Sequence, residues 1–260
     1  MIIGNGSVAE ALAIAIADTD CNTLQIAQIY GRNIHRIKEL AKLVGCSNIG
    51  TRPEDLAKAE LYILAVNDSS ISELATQLPF AEGSIVAHTA GSVPLDALPK
   101  RETLNRAVIY PMQTFSKGRK VNFKDVPLFI ETDNADSFAI VKYAAKSLSN
   151  NVIKTSSERR KTLHLGAVFA CNFVNAMLGA SADILSKNEL PLALYEPLIN
   201  ETLVKAMQPG KHPKQMQSGP AVRGDRGTIE RHLELLKDSP ELIEVYKTIS
   251  TYIWETSKKI

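Results

Sequence analysis

The stretch Gly4-Asn5-Gly6-Ser7-Val8-Ala9 stands almost at the start of the chain and has the pattern Gly-x-Gly-x-x-Ala. It follows an apolar start and opens a helical pattern, the context in which such a glycine turn points to dinucleotide binding. Gly4 permits a tight turn, Gly6 lets the backbone approach a diphosphate, and unpaired N–H groups at the helix N-terminus stabilise the phosphates. An ordinary glycine-rich turn is the alternative. The candidate cofactor-binding residues here are Gly4, Asn5, Gly6, Ser7 and Val8.

Short apolar runs alternate with helical patterns through the first part of the chain. The runs that predict strands lie at residues 24–30, 61–66, 85–88, 107–110, 127–130 and 152–153. The patterns that predict helices lie at residues 8–17, 34–43 and 137–148, and Thr51 with Glu54 has the spacing of a capping box for a further short helix. This alternation predicts an α/β fold of Rossmann type with a doubly wound, mostly parallel sheet.

The pattern changes near residue 155. Beyond it the sequence predicts helices at residues 158–187, 192–207, 228–236 and 240–258. Residues 208–225 are rich in Gly and Pro and predict a long loop, a feature that is often functional in a compact domain. We therefore expect a Rossmann-like domain over residues 1–155, followed by a smaller all-α domain over residues 156–260.

Composition excludes several classes of protein. Of the 260 residues, 45% are hydrophobic and 22% are charged, as in an ordinary globular chain. The net charge of +2 is too small for a protein that grips nucleic acid by its phosphates. No signal peptide is recognisable, and polar residues interrupt the longest apolar pattern, at residues 163–185, before it reaches the ~18 residues of a membrane span. We expect neither nucleic acid nor membrane as a partner.

The three cysteines, Cys21, Cys46 and Cys171, are odd in number and lack metal-ligand spacing. Reduced thiols in a cytoplasmic protein, with no metal site, are the expected result.

The end of the second predicted strand, Tyr30-Gly31-Arg32-Asn33, selects the cofactor. An NAD site places Asp or Glu there to bind the ribose hydroxyls, and this chain has no carboxylate at that point. Arg32 can pair with a 2′-phosphate, with help from Asn33 and Arg36, although a solvated arginine at a helix start is the alternative. The pattern favours NADP over NAD and disfavours S-adenosylmethionine, with Tyr30, Gly31 and Arg32 as further cofactor-binding candidates.

Loops at the carboxyl ends of later strands should face the nicotinamide. The cofactor-binding candidates in them are Val66, Asn67, Asp68, Thr89 and Ala90. Asp68 and Ser69 could instead cap the next helix. His88 could be a hydrogen-bonded loop histidine without a functional role.

Six stretches carry a resemblance to a known family. They are GNGSVAEAL, ILAVNDSSI, HTAGSVPLDAL, YPMQTFSKGR, RRKTLHLGAVFACNFVNAML and SGPAVRGDRGTIERHL. Over nearly its whole length the chain resembles NADP-dependent oxidoreductases that pair a Rossmann-like domain with a helical domain of unknown function. More distantly it is similar to pyrroline-5-carboxylate reductase and the 6-phosphogluconate dehydrogenase superfamily. This resemblance implies NADP binding by residues 1–155 and a homodimer formed through residues 156–260. Many relatives have His-Pro where this chain has Tyr110-Pro111, so no histidine role carries over there.

A polar stripe marks the helix that begins near Glu158. At roughly 100° per residue, one narrow sector holds Lys161, His164, Val168, Asn172 and Asn175. Buried polar groups require partners, which a substrate pocket, water or a packed helix could supply. In the distant relatives a helix at this place carries a cationic acid or base and an amide. The resemblance thus implies His164 or Lys161 as proton donor, with Asn172 and Asn175 orienting the substrate.

Further substrate-binding candidates are Gln113 and Arg223. Arg223 has a guanidinium that matches a carboxylate, or it could pair with Asp225 and stiffen its loop. Asp225 is better explained as the cap of a helix near Thr228.

The leading hypothesis is an NADP(H)-dependent oxidoreductase that reduces a small carbonyl or imine compound by hydride transfer. A non-catalytic NADP-binding sensor or partner-binding protein is the alternative, since a fold does not fix a function. A methyltransferase is a third possibility, which would require no NADPH binding.

Overall fold

The computed structural model describes residues 1–19 and 24–258, so that Cys21 lies outside the described residues. The chain forms two compact units, Met1–Asn172 and Phe173–Ile260. The division falls inside a helical run, because the first turns of that run are tied to the sheet by the buried side chain of Arg160. The domain boundary expected at residue 155 stays a prediction.

Within the described residues, eight strands form one sheet in the order β3-β2-β1-β4-β5-β6-β7-β8. Their bounds are β1 (Ile2–Ile3), β2 (Ile29–Tyr30), β3 (Ile49–Gly50), β4 (Leu61–Leu64), β5 (Ile85–His88), β6 (Asn105–Pro111), β7 (Leu128–Thr132) and β8 (Val152–Lys154). Neighbouring strands are parallel apart from the antiparallel pair β6 and β7. The α/β prediction of a mostly parallel, Rossmann-type sheet is confirmed. The strand order reverses at β1 and β4, where a crevice opens in folds of this type.

Helices cover both faces of this sheet. They are α1 (Ser7–Ala17), α2 (Ile34–Leu43), α3 (Ile71–Gln77), α4 (Ala135–Leu148) and α5 (Ser157–Ala167). Successive strand residues point to opposite faces, so Ile2 packs in the core under α1, α2 and α4, whereas Ile3 packs in the core on the α3 side. Burial on both faces explains why the strands read as continuous apolar runs.

The second strand is shorter than predicted. Residues 24–28 are not part of the ladder, and β2 comprises Ile29 and Tyr30. Its neighbours β1 and β3 also have two residues each, so residues before this point have no strand to pair with.

The capping box predicted from Thr51 and Glu54 is wrong. A 3-10 turn forms at Pro53–Asp55, and the Asp55 carboxylate accepts from the Arg52 N–H at 3.2 Å and the Thr51 N–H at 3.4 Å. Proline fixes the first residue of the turn, which moves the capping carboxylate one position along the chain.

The second unit is helical. Its α-helices are α6 (Val174–Ser186), α7 (Glu196–Ala206), α8 (Pro220–Arg223), α9 (Arg226–Leu235) and α10 (Pro240–Ser257). The predicted loop at residues 208–225 contains α8 and a 3-10 turn, Pro213–Met216, each opened by a proline. The predicted helix at residues 158–187 is a continuous helical run with a π-helical segment, Val168–Phe173, between α5 and α6.

The run Ser157–Ser186 is, among the described residues, the one helix whose 30-residue length and mean hydropathy of 1.5 would allow a membrane span. The expectation that polar residues keep this apolar pattern too short for a membrane span is therefore wrong. Length and composition are weak evidence for a span, because a helix that packs against other protein meets the same criteria. The absence of a membrane partner stays a prediction.

Candidate functional site

A cavity of about 390 Å³ opens at the carboxyl ends of β1, β2, β4 and β5, where the strand order reverses. All but two of the predicted cofactor-binding residues line it, namely Gly4, Asn5, Gly6, Ser7, Val8, Tyr30, Gly31, Arg32, Val66, Asn67 and Thr89. Asp68 and Ala90 each follow a lining residue but are not part of the wall. The cavity brings these residues together because the carboxyl ends of parallel strands meet at one edge of the sheet.

Gly4 and Gly6 are suited to their positions in the turn for different structural reasons. Gly4 has a φ of 131°, and a Cβ there would lie 2.0 Å from the carbonyl oxygen of Ala65. A Cβ on Gly6 would meet nothing within 4 Å, so this position faces open space. Gly6 is also the N-cap residue of α1 and supplies no side-chain cap, which leaves first-turn N–H groups free for an anion. The turn therefore fits a diphosphate.

One carboxylate, that of Glu10, lies in the first turn of α1, where it would repel a phosphate. It accepts a hydrogen bond from the Gly118 N–H at 2.8 Å and lies 3.7 Å from the Arg36 guanidinium. These partners offset its negative charge. Arg36, which was expected to assist at the 2′-phosphate, is engaged with Glu10 and Glu39.

Arg32 is a cation that lines the cavity at the end of β2. Its side chain is exposed and makes no hydrogen bond or ion pair with any residue that the structure describes. The neighbouring Asn33 caps α2, with its side chain accepting from the Arg36 N–H at 3.2 Å. Of the three residues considered for the 2′-phosphate, Arg32 is thus the one without a structural task.

Asp68 does not cap the helix that follows it, so that alternative is wrong. Its Oδ2 accepts from the Ser92 hydroxyl at 2.7 Å. The bond joins the loop after β4 to the loop after β5, beside the cavity.

His88 is a fully buried, hydrogen-bonded histidine. Its Nδ1 accepts from the Ala90 N–H at 3.2 Å, and its Nε2 lies 3.3 Å from the Pro94 carbonyl. Burial, together with the charge of Arg160, lowers the pKa of His88 to about 4. The ring is therefore neutral at physiological pH and serves to shape the loop that carries Thr89.

His164, the predicted proton donor, packs against that same loop. A Cβ on Gly91 would lie 2.5 Å from its Nδ1, and the Tyr110 hydroxyl oxygen lies 3.1 Å from the same nitrogen. The ring is half-buried. The predicted catalytic histidine thus contacts the loop that carries Thr89, a residue of the cavity wall, within the first unit.

Lys161 is placed differently. Its ammonium lies 3.1 Å from the Glu158 carboxylate on the exposed side of α5. The narrow sector predicted for Lys161 through Asn175 is interrupted, because a π-helical segment begins at residue 168 and changes the number of residues per turn. Asn172 and Asn175 are both exposed, and Asn175 belongs to the second unit.

The remaining substrate-binding candidates have local partners. The Gln113 side chain accepts from the Thr114 N–H at 2.8 Å. Arg223, in the second unit, lies 3.9 Å from Asp225. Asp225 caps α9 by accepting from the Thr228 N–H at 3.0 Å, and the hydrogen bonds from Thr228 lower the pKa of its carboxyl. The capping interpretation of Asp225 is confirmed.

Three residues near His164 were not singled out from the sequence as site residues: Gly91, Tyr110 and Arg160. Arg160 is completely buried and pairs with Glu131 on β7 and with the Val93 carbonyl. In the sequence it is one of three consecutive cations, and nothing in that run marks which one turns inward. Gly91 and Tyr110 flank predicted strand ends, but their contact with His164 joins distant parts of the chain.

No metal site is found in the described part of the chain, where no three His, Cys, Asp or Glu side chains form a suitable group. Cys46 and Cys171 are free thiols.

Two family models match the chain. Residues 1–91 match "NADP oxidoreductase coenzyme F420-dependent", and residues 126–253 match a domain of unknown function, DUF2520. A search among curated proteins finds no match.

Solved structures match over almost the full length. A protein from Bacteroides fragilis described as a "putative NADP oxidoreductase" is 38% identical, with 98% of this chain and 96% of that chain covered and a TM-score of 0.88. Pyrroline-5-carboxylate reductase from Streptococcus pyogenes is 17% identical, with 100% and 97% covered and a TM-score of 0.64. An imine reductase from Bacillus cereus is 15% identical, with 99% and 92% covered and a TM-score of 0.57. The last two similarities show a shared fold.

Proposed function

The chain belongs to the family of NADP oxidoreductases in which a Rossmann-like domain is joined to a DUF2520 domain, and from this premise we propose that it reduces a small carbonyl or imine compound with NADPH. The observation that carries the proposal is the cavity at the reversal of strand order, which unites the glycine turn with the unpaired cation of Arg32. The match to oxidoreductases favours this catalytic function over a sensor.

Different residues of the cavity would contact different parts of the cofactor. The backbone at Gly4–Val8 would hold the diphosphate, Arg32 the 2′-phosphate, and Asn67 and Thr89 would lie toward the nicotinamide half. Bound NADPH would supply the hydride. The protein then has to orient the substrate, exclude water and provide a proton.

His164 is the proton donor in this proposal. It lies beside the loop that carries Thr89, whereas the Lys161 ammonium is paired with Glu158. Histidine as a residue type exchanges protons near neutral pH, which suits general acid catalysis. The predictions that Asn172, Gln113, Asn175 and Arg223 orient the substrate stay predictions.

The substrate class follows from the cofactor and from the relatives. A hydride acceptor must be an electrophilic carbon, as in C=O or C=N. The relatives named imine reductase and pyrroline-5-carboxylate reductase make a C=N substrate the first to test. Free thiols at Cys46 and Cys171 agree with the cytoplasmic location that we infer for such an enzyme.

Thermal shift with NADPH, NADH and S-adenosylmethionine tests the cofactor assignment. Ligand at about 100 times its Kd adds roughly 2.7 kcal/mol to the stability of the native state. We expect NADPH to raise Tm most and S-adenosylmethionine to leave it unchanged. Gly6→Val should abolish the NADPH shift, because its side chain fills the space that the diphosphate needs, at a cost of about 1 kcal/mol in the ligand-free protein. A full NADPH shift in this variant would contradict the assignment.

A further inference from the structure

We propose that Tyr110 is a positioning residue for His164, holding its Nδ1 so that Nε2 is the nitrogen that exchanges a proton with the substrate. The inference rests on the proposed function, in which His164 is the proton donor. The way the imidazole is held can be measured without any cofactor.

The Tyr110 hydroxyl has one hydrogen-bond partner among the described residues, His164 Nδ1 at 3.1 Å. Tyr110 is 8% exposed, and burial raises the pKa of its hydroxyl, so the group keeps its proton. A buried hydroxyl without an acceptor destabilises the folded chain. Tyr110 therefore donates to Nδ1 when the imidazole is neutral, which leaves the ring proton on Nε2.

His164 Nε2 is not fully buried. It makes no hydrogen bond to any residue in the described ranges. Across those ranges, Arg160 Nε is the one buried side-chain nitrogen or oxygen without a partner. An incompletely buried Nε2 without a protein partner is what proton exchange with a substrate requires.

Gly91 provides the space for the ring. A Cβ there would lie 2.5 Å from Nδ1 and 2.9 Å from the Cβ of His164, distances that require the imidazole to move. Gly91 lies two residues after Thr89, which lines the cofactor cavity. The ring is thus held between Tyr110 at the end of β6 and the loop that follows β5.

Arg160 anchors α5, the helix that contains His164. It is four residues earlier, on the same side of α5, and its ion pair with Glu131 ties that helix to β7. The buried Arg160 side chain anchors the backbone of α5, and Tyr110 and Gly91 orient the His164 ring.

This arrangement suits repeated proton transfer, because a hydroxyl can donate to Nδ1 or accept from its N–H. The imidazolium would give its Nε2 proton to the substrate oxygen or nitrogen, and bound NADPH would supply hydride to the adjacent carbon. Just after this transfer the remaining ring proton would be on Nδ1, and the Tyr110 oxygen would accept from it. Proton uptake from solvent at Nε2 would then restore the imidazolium, whereas the neutral ring at rest has the Nε2-protonated tautomer described above. One hydride and one proton reach the substrate, and the imidazolium is restored.

Long-range ¹H–¹⁵N spectra of the full ¹⁵N-labelled chain test the proposal, with the His164 signals identified by their loss in His164→Gln. For the neutral ring we expect a single tautomer with Nε2 protonated. Tyr110→Phe should give a mixture of tautomers, whereas Tyr143→Phe, which alters an exposed tyrosine, should match the wild type. A protonated Nδ1 in the wild type, or unchanged spectra in Tyr110→Phe, would overturn the proposal.

Kinetics with 1-pyrroline as a C=N probe provide a second readout. Tyr110→Phe and Gly91→Ala should each lower kcat by about 10- to 100-fold and leave the KM for NADPH unchanged, since a misplaced catalytic group loses rate rather than cofactor binding. Gly166→Ala, where a Cβ meets nothing within 4 Å, is the matched control and should retain the wild-type kcat. A wild-type chain that does not bind NADPH would contradict the proposed function. The spectra would still decide whether Tyr110 positions His164.

Discussion

At the scale of single residues, two histidines illustrate how surroundings decide a chemical role. His88 and His164 each have a hydrogen-bond partner at Nδ1. The partner of His88 is a backbone N–H, and the partner of His164 is a hydroxyl. His88 also has Nε2 near a carbonyl and is fully buried, so it keeps one neutral form. His164 has no hydrogen-bond partner at Nε2 among the described residues.

The buried His88 makes stability depend on pH. Its pKa of about 4 in the folded chain lies below the ordinary value of 6.5, so the unfolded chain binds the proton first as pH falls. The free energy of unfolding should therefore drop by about 2 kcal/mol between pH 7 and pH 5 through this residue, and no further once pH is below about 4.

Urea unfolding at the two pH values measures this effect. His88→Gln should remove about 2 kcal/mol of the difference between the two pH values, and His35→Gln, which alters an exposed histidine, should leave it in place. An equal pH dependence in His88→Gln and wild type would refute the explanation.

The residues that line the cavity were predictable because local sequence decides their position. A glycine turn between a strand and a helix, and the residue that ends the next strand, occupy fixed places in a Rossmann-type sheet. The contacts of His164 with Tyr110 and Gly91 join residues 54 positions apart in one case. No local pattern encodes such a contact, which depends on how α5 is anchored.

At the scale of elements, the attachment of α5 depends on a buried ion pair. Arg160 is 0% exposed and Glu131 is its charged partner. Because removal of one member of a buried pair leaves an uncompensated charge, Glu131→Gln should lower the free energy of unfolding by about 3 kcal/mol. Glu158→Gln, which breaks an exposed pair with Lys161 on the same helix, should lower it by less than about 1 kcal/mol.

Chemical denaturation of the two variants measures the difference. Equal stabilities would show that Arg160 does not depend on Glu131 and that α5 is held by other contacts.

Element types were predictable where a segment is long enough to show a period. Strands such as β4 and β5 and helices such as α2 and α4 were found, whereas β3, with two residues, is too short for any pattern. The π-helical segment at Val168–Phe173 and the turns within residues 208–225 depend on hydrogen-bond register rather than on apolar spacing. The sequence therefore indicated a helix for the first segment and a loop for the second, but not the π-helical register or the short turns within them.

At the scale of the whole molecule, exposed apolar side chains concentrate in the helical unit. Examples are Leu198, Leu203, Val204 and Leu235, all at least half exposed. A surface of this kind is typical of an oligomer interface. We propose that it forms a homodimer, as the resemblance to the distant relatives implies.

Light scattering after size-exclusion chromatography tests the dimer. Val204→Asp should shift the protein to a monomer, because it places a charge in the interface. Leu43→Asp alters a similarly exposed leucine on α2 and should remain dimeric. A monomeric wild type at micromolar concentration would contradict the dimer.

The central claim, that the glycine turn and Arg32 together form an NADPH site, is tested most directly by the Kd values of NADPH and NADH for wild type and Arg32→Ala. The charge-assisted bonds of an arginine to a phosphate contribute roughly 1.5–3 kcal/mol, so the wild type should prefer NADPH by about 10- to 100-fold. Arg32→Ala should lose most of this preference by weakening NADPH alone, and Arg159→Ala, an exposed arginine on α5, should keep it. Equal affinities for the two nicotinamides in the wild type would contradict the account.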